Sequence, residues 1–312
     1  MSKPNIILIL IDDMGWRDIS CCGSEFYETP NIDRLAREGM TFTDGYASCP
    51  VCSPTRASIM TGRYPARLGV TDWIDWMGAV HPRRGRVIDV PYIKHLPLEE
   101  KTVAGALRDA GYSTWHIGKW HLGGEPYWPE KHGFDVNVAG CEWGLPVGGY
   151  FSPYSMPNLE DGPEGEYLTD RLTDEAIRLV RENGEKPFFM YMSHYVVHGP
   201  IQTPRKYVEK YEKKARELGL DKVKTYEQGE PMPYEHDGGR KVVRRLVQSD
   251  AAYAGMIENL DENVGRLFAA LEEAGKTDNT LIIFTSDNGG LATSEGLDLP
   301  PKSGPRQLSD LL

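Results

Sequence analysis

The sequence predicts an α/β fold: a three-layer α/β/α sandwich with helices on both faces of a mostly parallel, mixed sheet. Three observations predict it. Short apolar runs alternate with segments of helical periodicity. Helix-start and helix-stop residues punctuate that alternation. The apolar runs are continuous rather than two-residue periodic, as in strands covered on both faces.

Taken in order, Asn5 to Ile11 is the first such run and reads as a buried strand. "TPNIDRLAREG" follows, with Thr29 as N-cap, Pro30 at the first helical position and Gly39 as terminator. "KTVAGALRDAGYSTWHIGKWHLG" repeats the device: Thr102 starts a helix, Gly111 stops it, and a strand runs from Tyr112 towards Gly118. "YLTDRLTDEAIRLVRENG" is a helix leading into the strand "PFFMYMSHY". A long helical stretch is expected from Lys241 to Ala274, capped by Gly275, with Val243, Leu246, Ile257, Leu260, Val264, Leu267 and Leu271 among its apolar positions. "NTLIIFTSDNGG" then reads as another buried strand. Residues 123–165 and 199–240, rich in Gly, Pro and charge, read as long surface excursions.

In a parallel sheet of this kind, ligands gather beyond the carboxyl ends of the strands. The polar residues ending these strands are Asp12 and Asp13, Lys119 to His121, His198, and Asp287 with Asn288. They are far apart in sequence and are expected to converge at one edge.

Composition excludes some partners. The 312 residues are 40% hydrophobic and 26% charged, ordinary for a globular chain with a substantial core. A net charge of −11 repels nucleic acid phosphates and anionic membranes, so neither is an expected partner, while a local basic pocket for a small anion stays compatible. The early run "IILILI" is too short to span a bilayer and lacks a cleavage site. No signal peptide is therefore expected, and the location reads as cytoplasmic; a trimmed chain of a periplasmic or secreted protein would look the same.

The five cysteines are Cys21, Cys22, Cys49, Cys52 and Cys141, an odd number without the spacing of a disulfide framework. "CPVC" spaces Cys49 and Cys52 as C-x-x-C. A dithiol reading wants that motif opening a helix after a strand in a small domain. A zinc reading wants a second Cys or His pair at matching spacing, which neither the adjacent Cys21 and Cys22 nor Cys141 provides. A buried, inert thiol at Cys52 is the better rival to a functional one.

Cys52, Pro54 and Arg56 also fit C-x-P-x-R, continued by "SPTRASIMTGRYP". This resembles the sulfatase family of the alkaline phosphatase superfamily, arylsulfatases included, in which the Cys is oxidised after translation to formylglycine. "KPNIILILIDDMGW" resembles the family's first strand, and "TPNIDRLAREGMTFTDGYA" its first helix and next strand. "GYSTWHIGKWHLG" is similar to the Gly-Lys-Trp-His-Leu-Gly signature, and "HGFDVNVAG" to the segment after it. "KPFFMYMSHYVVHGP" resembles the strand ending in the catalytic His, and "YAGMIENLDENVGRLFAALEEAGKTDNTLIIFTSDNGG" the long helix and last core strand. The resemblance covers residues 1–295, implying one catalytic domain there.

The resemblance implies hydrolysis of an aryl or carbohydrate sulfate monoester. An aldehyde at position 52 hydrates to a geminal diol; one hydroxyl attacks sulfur and releases the alcohol, and the second then expels sulfate as the aldehyde re-forms. A formylglycine-generating enzyme is the implied partner for Cys52. Asp12, Asp13, Asp287 and Asn288 offer only oxygen ligands, which suits one Ca2+ ion, with the residue-52 diol completing the shell. Either strand end alone would otherwise read as a solvated turn. Arg56 lies one helical turn beyond Cys52 and, by resemblance, holds the hydrated formylglycine and the metal-binding carboxylates. Lys119 and His121 share a face of an extended backbone; the first would bind a sulfate oxygen, and the second would orient the diol. His198 would bind sulfate or protonate the leaving alkoxide. His116 and His194 read as structural or rim residues, and Arg63 and Arg67 as surface or supporting cations.

Residues 296–312 depart from the family pattern. Lys302 is a loose positional match for a further catalytic Lys, without the flanking glycines, and the family's small C-terminal domain is expected to be absent. Two alternatives therefore accompany the sulfatase reading: a phosphonate or phosphate ester hydrolase of the same superfamily, and a truncated, catalytically silent homologue that binds a sulfated ligand.

Overall fold

The computed structural model describes residues 3–75, 90–231 and 241–290. Its centre is a parallel sheet of β1 (Asn5–Ile11), β2 (Ser113–Gly118), β3 (Val136–Val138), β4 (Phe188–Ser193) and β7 (Thr280–Ser286), in the spatial order β3-β2-β4-β1-β7. All four neighbouring pairs are parallel. An antiparallel hairpin of β5 (Tyr226–Pro231) and β6 (Lys241–Arg245) lies apart from it.

Side-chain alternation sorts the sheet's two faces. Ile7, Ile9, Ile11, Trp115, Ile117, Phe188, Met190 and Met192 enter one core cluster, which also holds apolar residues of α5 (Leu168–Glu182) and α7 (Ala251–Glu273), with Ile32 of α1 (Pro30–Glu38). Leu10, Phe189 and Tyr191 enter the other, with Ala57 and Met60 of α2 (Cys52–Thr61), Leu68 of α3 (Pro65–Leu68) and Ala104 of α4 (Val103–Asp109). The three-layer sandwich expected from the sequence is therefore present, each layer burying an apolar face that would otherwise meet water.

Several local expectations hold. Thr102 caps α4, its hydroxyl accepting from the Gly105 N–H, and Gly111 adopts φ +91° just beyond the helix. Thr29 sits at the N-cap of α1, but its hydroxyl is used elsewhere, accepting from Ser20 N and donating to Asp33. The orphan N–H groups of Asn31 and Ile32 are instead taken by the Asp261 carboxylate of α7.

Others are corrected. The helix expected from Lys241 begins only at Ala251, where Asp250 accepts from the Ala252 and Tyr253 N–H groups. Residues Lys241 to Arg245 form β6, where adjacent β-branched Val242 and Val243 favour an extended backbone. β7 is not buried on both faces: Ile282 and Phe284 pack on the core while Leu281 and Ile283 are 52% and 43% exposed, because β7 is the outermost of the described strands on its side. Residues 40–47, matched to a strand by resemblance, form none and are mostly exposed. The 123–165 region is no surface excursion, since it supplies β3 and the buried Phe134, Tyr150 and Tyr154. The 199–240 region contains α6 (Arg205–Glu217), whose Tyr207 and Tyr211 are buried; its residues 232–240 lie outside those described. Among the described residues, no helix is long and apolar enough to cross a membrane.

Candidate active site

The carboxyl ends of the central strands deliver the expected groups to one place. Asp12 and Asp13 follow β1, Lys119 follows β2, and Asp287 and Asn288 follow β7. Parallel register makes this possible: Ile11 lies opposite Ser286, and both Leu10 and Gly118 lie opposite Ser193, so the chain leaves every strand at one edge. Gly118 has φ +100°, and a Cβ there would stand 1.9 Å from the Ser193 carbonyl oxygen. Only glycine lets β2 turn into Lys119 so close to β4.

α2 approaches this edge with its N-terminus. Cys52 is its first residue, so the N–H groups and the positive end of the helix dipole lie beside residue 52. Ser53 Oγ accepts from Ile74 N at 3.0 Å, and Thr55 Oγ1 donates to Cys49 O at 3.0 Å, which fixes the turn into the helix.

Arg56 is the centre of the cluster. Its Nε and Nη2 lie 3.1 and 2.9 Å from Asp287 Oδ2, and Nη2 is 3.3 Å from Asp12 Oδ1. Nη1 donates to Ser193 Oγ at 2.6 Å and to the Lys119 carbonyl at 3.0 Å. Lys119 Nζ is 2.6 Å from Asp12 Oδ2. Arg56, Lys119, Asp12 and Asp287 are all fully buried, so none of these pairs is screened by water. Asp287 Oδ1 accepts from the Asp13 N–H, and Asn288 Nδ2 donates to Asp13 Oδ1 at 2.6 Å. Asp13 holds φ +58° and His121 φ +57°, a left-handed backbone uncommon outside glycine and concentrated at functional positions.

Charge follows from this geometry. Burial pushes the Asp12 carboxyl up, with Asp287 and Asp13 adding to it and Lys119 and Arg56 opposing. For Asp287, burial also raises, but Arg56 and Lys119 outweigh it and hold the carboxyl below its usual value. Three carboxylates against two buried cations leave one negative charge in excess when all are ionised. Asp12, Asp13 and Asp287 each present an oxygen within 4.8 Å of the others, and Asn288 Oδ1 is buried without a hydrogen-bond partner. An all-oxygen donor set with surplus negative charge and an orphaned carbonyl oxygen fits a hard divalent cation.

Cys52 Sγ, Asp12 and His198 likewise lie within 4.8 Å of one another. The Cys52 thiol is pushed well up by burial and by Asp12, Asp287 and Asp13, with Lys119 opposing. An unmodified Cys52 is thus a protonated thiol and a poor nucleophile. All five cysteines are free thiols, and among the described residues neither group of metal-ligand spacing contains Cys49. Among the described residues the zinc reading of "CPVC" therefore gains no second ligand pair.

His121 Nε2 lies 2.7 Å from the Ile74 carbonyl, which can only accept, so Nε2 carries the hydrogen and Nδ1 the lone pair. Burial and the Lys119 charge keep the ring neutral. His198 Nδ1 lies 3.0 Å from the Gly199 carbonyl, and Nε2 is 3.7 Å from Asp13 Oδ2. His116 is packed among the rings of Trp120, Phe134 and Tyr191, and His194 is buried. Arg63 is exposed and paired with Glu100. Lys302 lies outside the described residues. Sequence reasoning missed Ser193, whose hydroxyl joins Arg56 to the Lys119 carbonyl; its place at the end of β4, across from Leu10, was the available signal.

A carboxylate cluster that fits a cation thus faces a helix N-terminus across parallel strand ends. The Sulfatase family matches residues 4–307, and the chain belongs to it. It is 30% identical to the N-acetylgalactosamine-6-sulfatase of Canis lupus familiaris over 312 residues, 93% of this chain and 51% of that protein. The chain spans about half the length of the curated relatives it matches. A crystal structure of Ps i-CgsB is 30% identical, with a TM-score of 0.69 over 97% of this chain and 62% of that one; a second was solved in complex with k-i-k-neocarrahexaose. The phosphonate monoester hydrolase of Agrobacterium radiobacter, 22% identical with a TM-score of 0.61 over 94% of this chain and 65% of that one, shares the fold.

Proposed function

We propose that this chain carries the catalytic centre of a sulfuric ester hydrolase, acting on a sulfate monoester through a formylglycine made from Cys52, with Ca2+ held by Asp12, Asp13, Asp287 and Asn288. The observation that carries the reading is the meeting of Cys52, at a helix N-terminus, with Asp12 and His198 beside an oxygen-only cluster. When bound, a divalent cation would offset the substrate's negative charge and favour an ionised nucleophile. Formylglycine at residue 52 would supply, once hydrated, two hydroxyls on one carbon, one to attack sulfur and one to let sulfate go; a formylglycine-generating enzyme is the partner this would require.

The chain's own residues do the rest. Arg56 fixes the Asp12 and Asp287 oxygens in place through its planar fork, a task an ammonium could not perform. Lys119 keeps its charge through Asp12 and adds positive potential for a sulfate oxygen. His121, neutral with its Nδ1 lone pair available, accepts a hydrogen bond from the nucleophile. His198 acts as the imidazolium: its Nδ1–H is held by Gly199 O, and its Nε2–H, 3.7 Å from Asp13 Oδ2, passes its proton to the leaving alkoxide, which leaves the ring neutral. A carbohydrate sulfate is the favoured substrate class, supported by the N-acetylgalactosamine-6-sulfatase among the relatives and by the k-i-k-neocarrahexaose in the Ps i-CgsB complex.

The test is turnover of paired aryl sulfate and aryl phosphate esters by protein produced with the modifying enzyme. Faster sulfate cleavage, lost in Cys52→Ala and on chelation, supports the reading. Faster phosphate cleavage would overturn it in favour of a phosphate ester hydrolase.

A further inference from the structure

The turn from Tyr195 to His198 is fastened from two sides. On one, Asp12 N donates to Val196 O at 3.0 Å and Val197 N to Asp12 O at 2.7 Å, so the turn extends the pairing of β1 with β4. On the other, the Tyr150 hydroxyl lies 2.6 Å from the Tyr195 carbonyl and 2.9 Å from the His198 carbonyl. Both carbonyls can only accept, so the one O–H is shared between the two ends of the turn. His198 N itself donates to Tyr195 O at 3.1 Å, which closes the loop.

Tyr150 is itself immobilised. Its side chain is fully buried and stacks on Tyr167 with ring centroids 5.8 Å apart. Its N–H donates to Gln202 Oε1 at 2.9 Å, and its carbonyl accepts from Leu168 N at 2.8 Å, at the start of α5. The His198 backbone is thereby referred to two rigid bodies, the sheet through Asp12 and α5 through Tyr150. The imidazole has few remaining freedoms, and Gly199 O takes its Nδ1.

We infer that Tyr150 is a positioning residue that aims His198 at the leaving-group oxygen by clamping the carbonyls of Tyr195 and His198. The inference rests on the reading of His198 as proton donor, given above. Tyr150 makes its hydrogen bonds to Gln202, to Leu168 and to the carbonyls of Tyr195 and His198, none of them to the nucleophile or the proposed cation ligands, so its effect should appear where His198 matters most. A poor leaving group needs its proton; a good one, already stable as an anion, needs it less.

The experiment compares wild type, Tyr150→Phe, His198→Asn and the double variant on phenyl sulfate and 4-nitrophenyl sulfate, with melting temperatures as a check of folding. Tyr150→Phe keeps the ring and removes only the clamp. The expected result is a kcat loss of about 10- to 100-fold on phenyl sulfate, with much less on 4-nitrophenyl sulfate. His198→Asn shows the same selectivity more strongly, and Tyr150→Phe adds nothing in its background. Equal losses on both esters from Tyr150→Phe, or additivity with a leaving-group-selective His198→Asn, would overturn the clamp while leaving the reading of His198 intact. A His198→Asn variant without leaving-group selectivity would overturn that reading, and the clamp with it. If Tyr150→Phe does not fold, Gln202→Leu, which releases the Tyr150 N–H, is expected to give the selective loss; an unselective one overturns the clamp.

Discussion

Arg56 and Asp287 are joined twice through a single oxygen, with Nε at 3.1 Å and Nη2 at 2.9 Å from Oδ2, and neither side chain reaches solvent. The same guanidinium reaches Asp12, Ser193 and the Lys119 carbonyl, so one side chain sets the spacing of four strand ends, those of β1, β2, β4 and β7. Removing one partner of a buried ion pair leaves an uncompensated charge. Arg56→Met is expected to destabilise the fold by about 3–5 kcal/mol in urea unfolding and to abolish turnover. Arg56→Lys retains the charge without the fork, so it should be the more stable of the two yet equally inactive. Turnover in Arg56→Lys near the wild-type rate would contradict this role.

If the cluster holds calcium as proposed, calcium should stabilise the protein measurably, because the unfolded chain offers no such site. At a concentration about 100 times the dissociation constant, the gain is about 2.7 kcal/mol. Asp13→Asn tests the site without breaking the Arg56 pairs, since Asp13 contacts Asn288 and His198 but not the guanidinium. In calcium its melting temperature is expected to fall below wild type. In chelator the two should match, or the variant should be the more stable, because one of three mutually repelling carboxylates is gone. Equal calcium increments in both proteins would count against Asp13 as a ligand.

Acid sensitivity should appear before the carboxylates titrate. Burial lowers His116 to about 3, with Arg56 contributing, and His194 to about 3; burial, with His95 adding, lowers His132 to about 4. Each stays neutral in the fold while the unfolded chain takes up a proton near pH 6.5. Unfolded protein thus binds more protons between those values, and stability rises with pH across the window. The stabilisation is complete above about pH 6.5 and is lost as pH falls towards 4, at about 1.4 kcal/mol per pH unit for each histidine. Urea midpoints at pH 7 and pH 5 measure it. Unchanged midpoints would show that these rings protonate in place.

The capping of α1 by a residue of α7 is a separate stability claim. Asp261 accepts from Asn31 N, Asn31 Nδ2 and Ile32 N, at distances from 2.8 to 3.2 Å. Asp261→Ala orphans two helix N–H groups and should cost about 1–3 kcal/mol. Because Asp261 touches none of the site residues, kcat should be unchanged. A destabilisation below about 0.5 kcal/mol would mean that water replaces the cap.

Much of the site was legible because parallel strands place their carboxyl ends together whatever lies between them in sequence. Asp12, Lys119 and Asp287 each stand just past a strand, and that position marked them as candidates whose roles came from the family resemblance. Arg56 was legible from the C-x-P-x-R resemblance, with helical spacing putting it one turn beyond Cys52. What could not be read were contacts between side chains whose positions depend on packing: Ser193 on Arg56, Tyr150 on the His198 turn and Asp261 on α1. Tyr150 lies in a stretch whose glycines and prolines suggested surface, yet its backbone is pinned by Gln202 and Leu168. The Lys241 to Arg245 segment carries apolar residues compatible with either period, and only its pairing with β5 decides for a strand.

The mass of the peptide containing Cys52, taken from protein produced alongside a formylglycine-generating enzyme, tests the central claim most directly. The account predicts loss of one sulfur and two hydrogens and gain of one oxygen at Cys52, in proportion to sulfatase activity. It predicts further that Cys49→Ala leaves both mass change and activity in place, whereas Cys52→Ala removes both. Full activity in protein whose Cys52 peptide keeps its unmodified thiol mass would contradict the account.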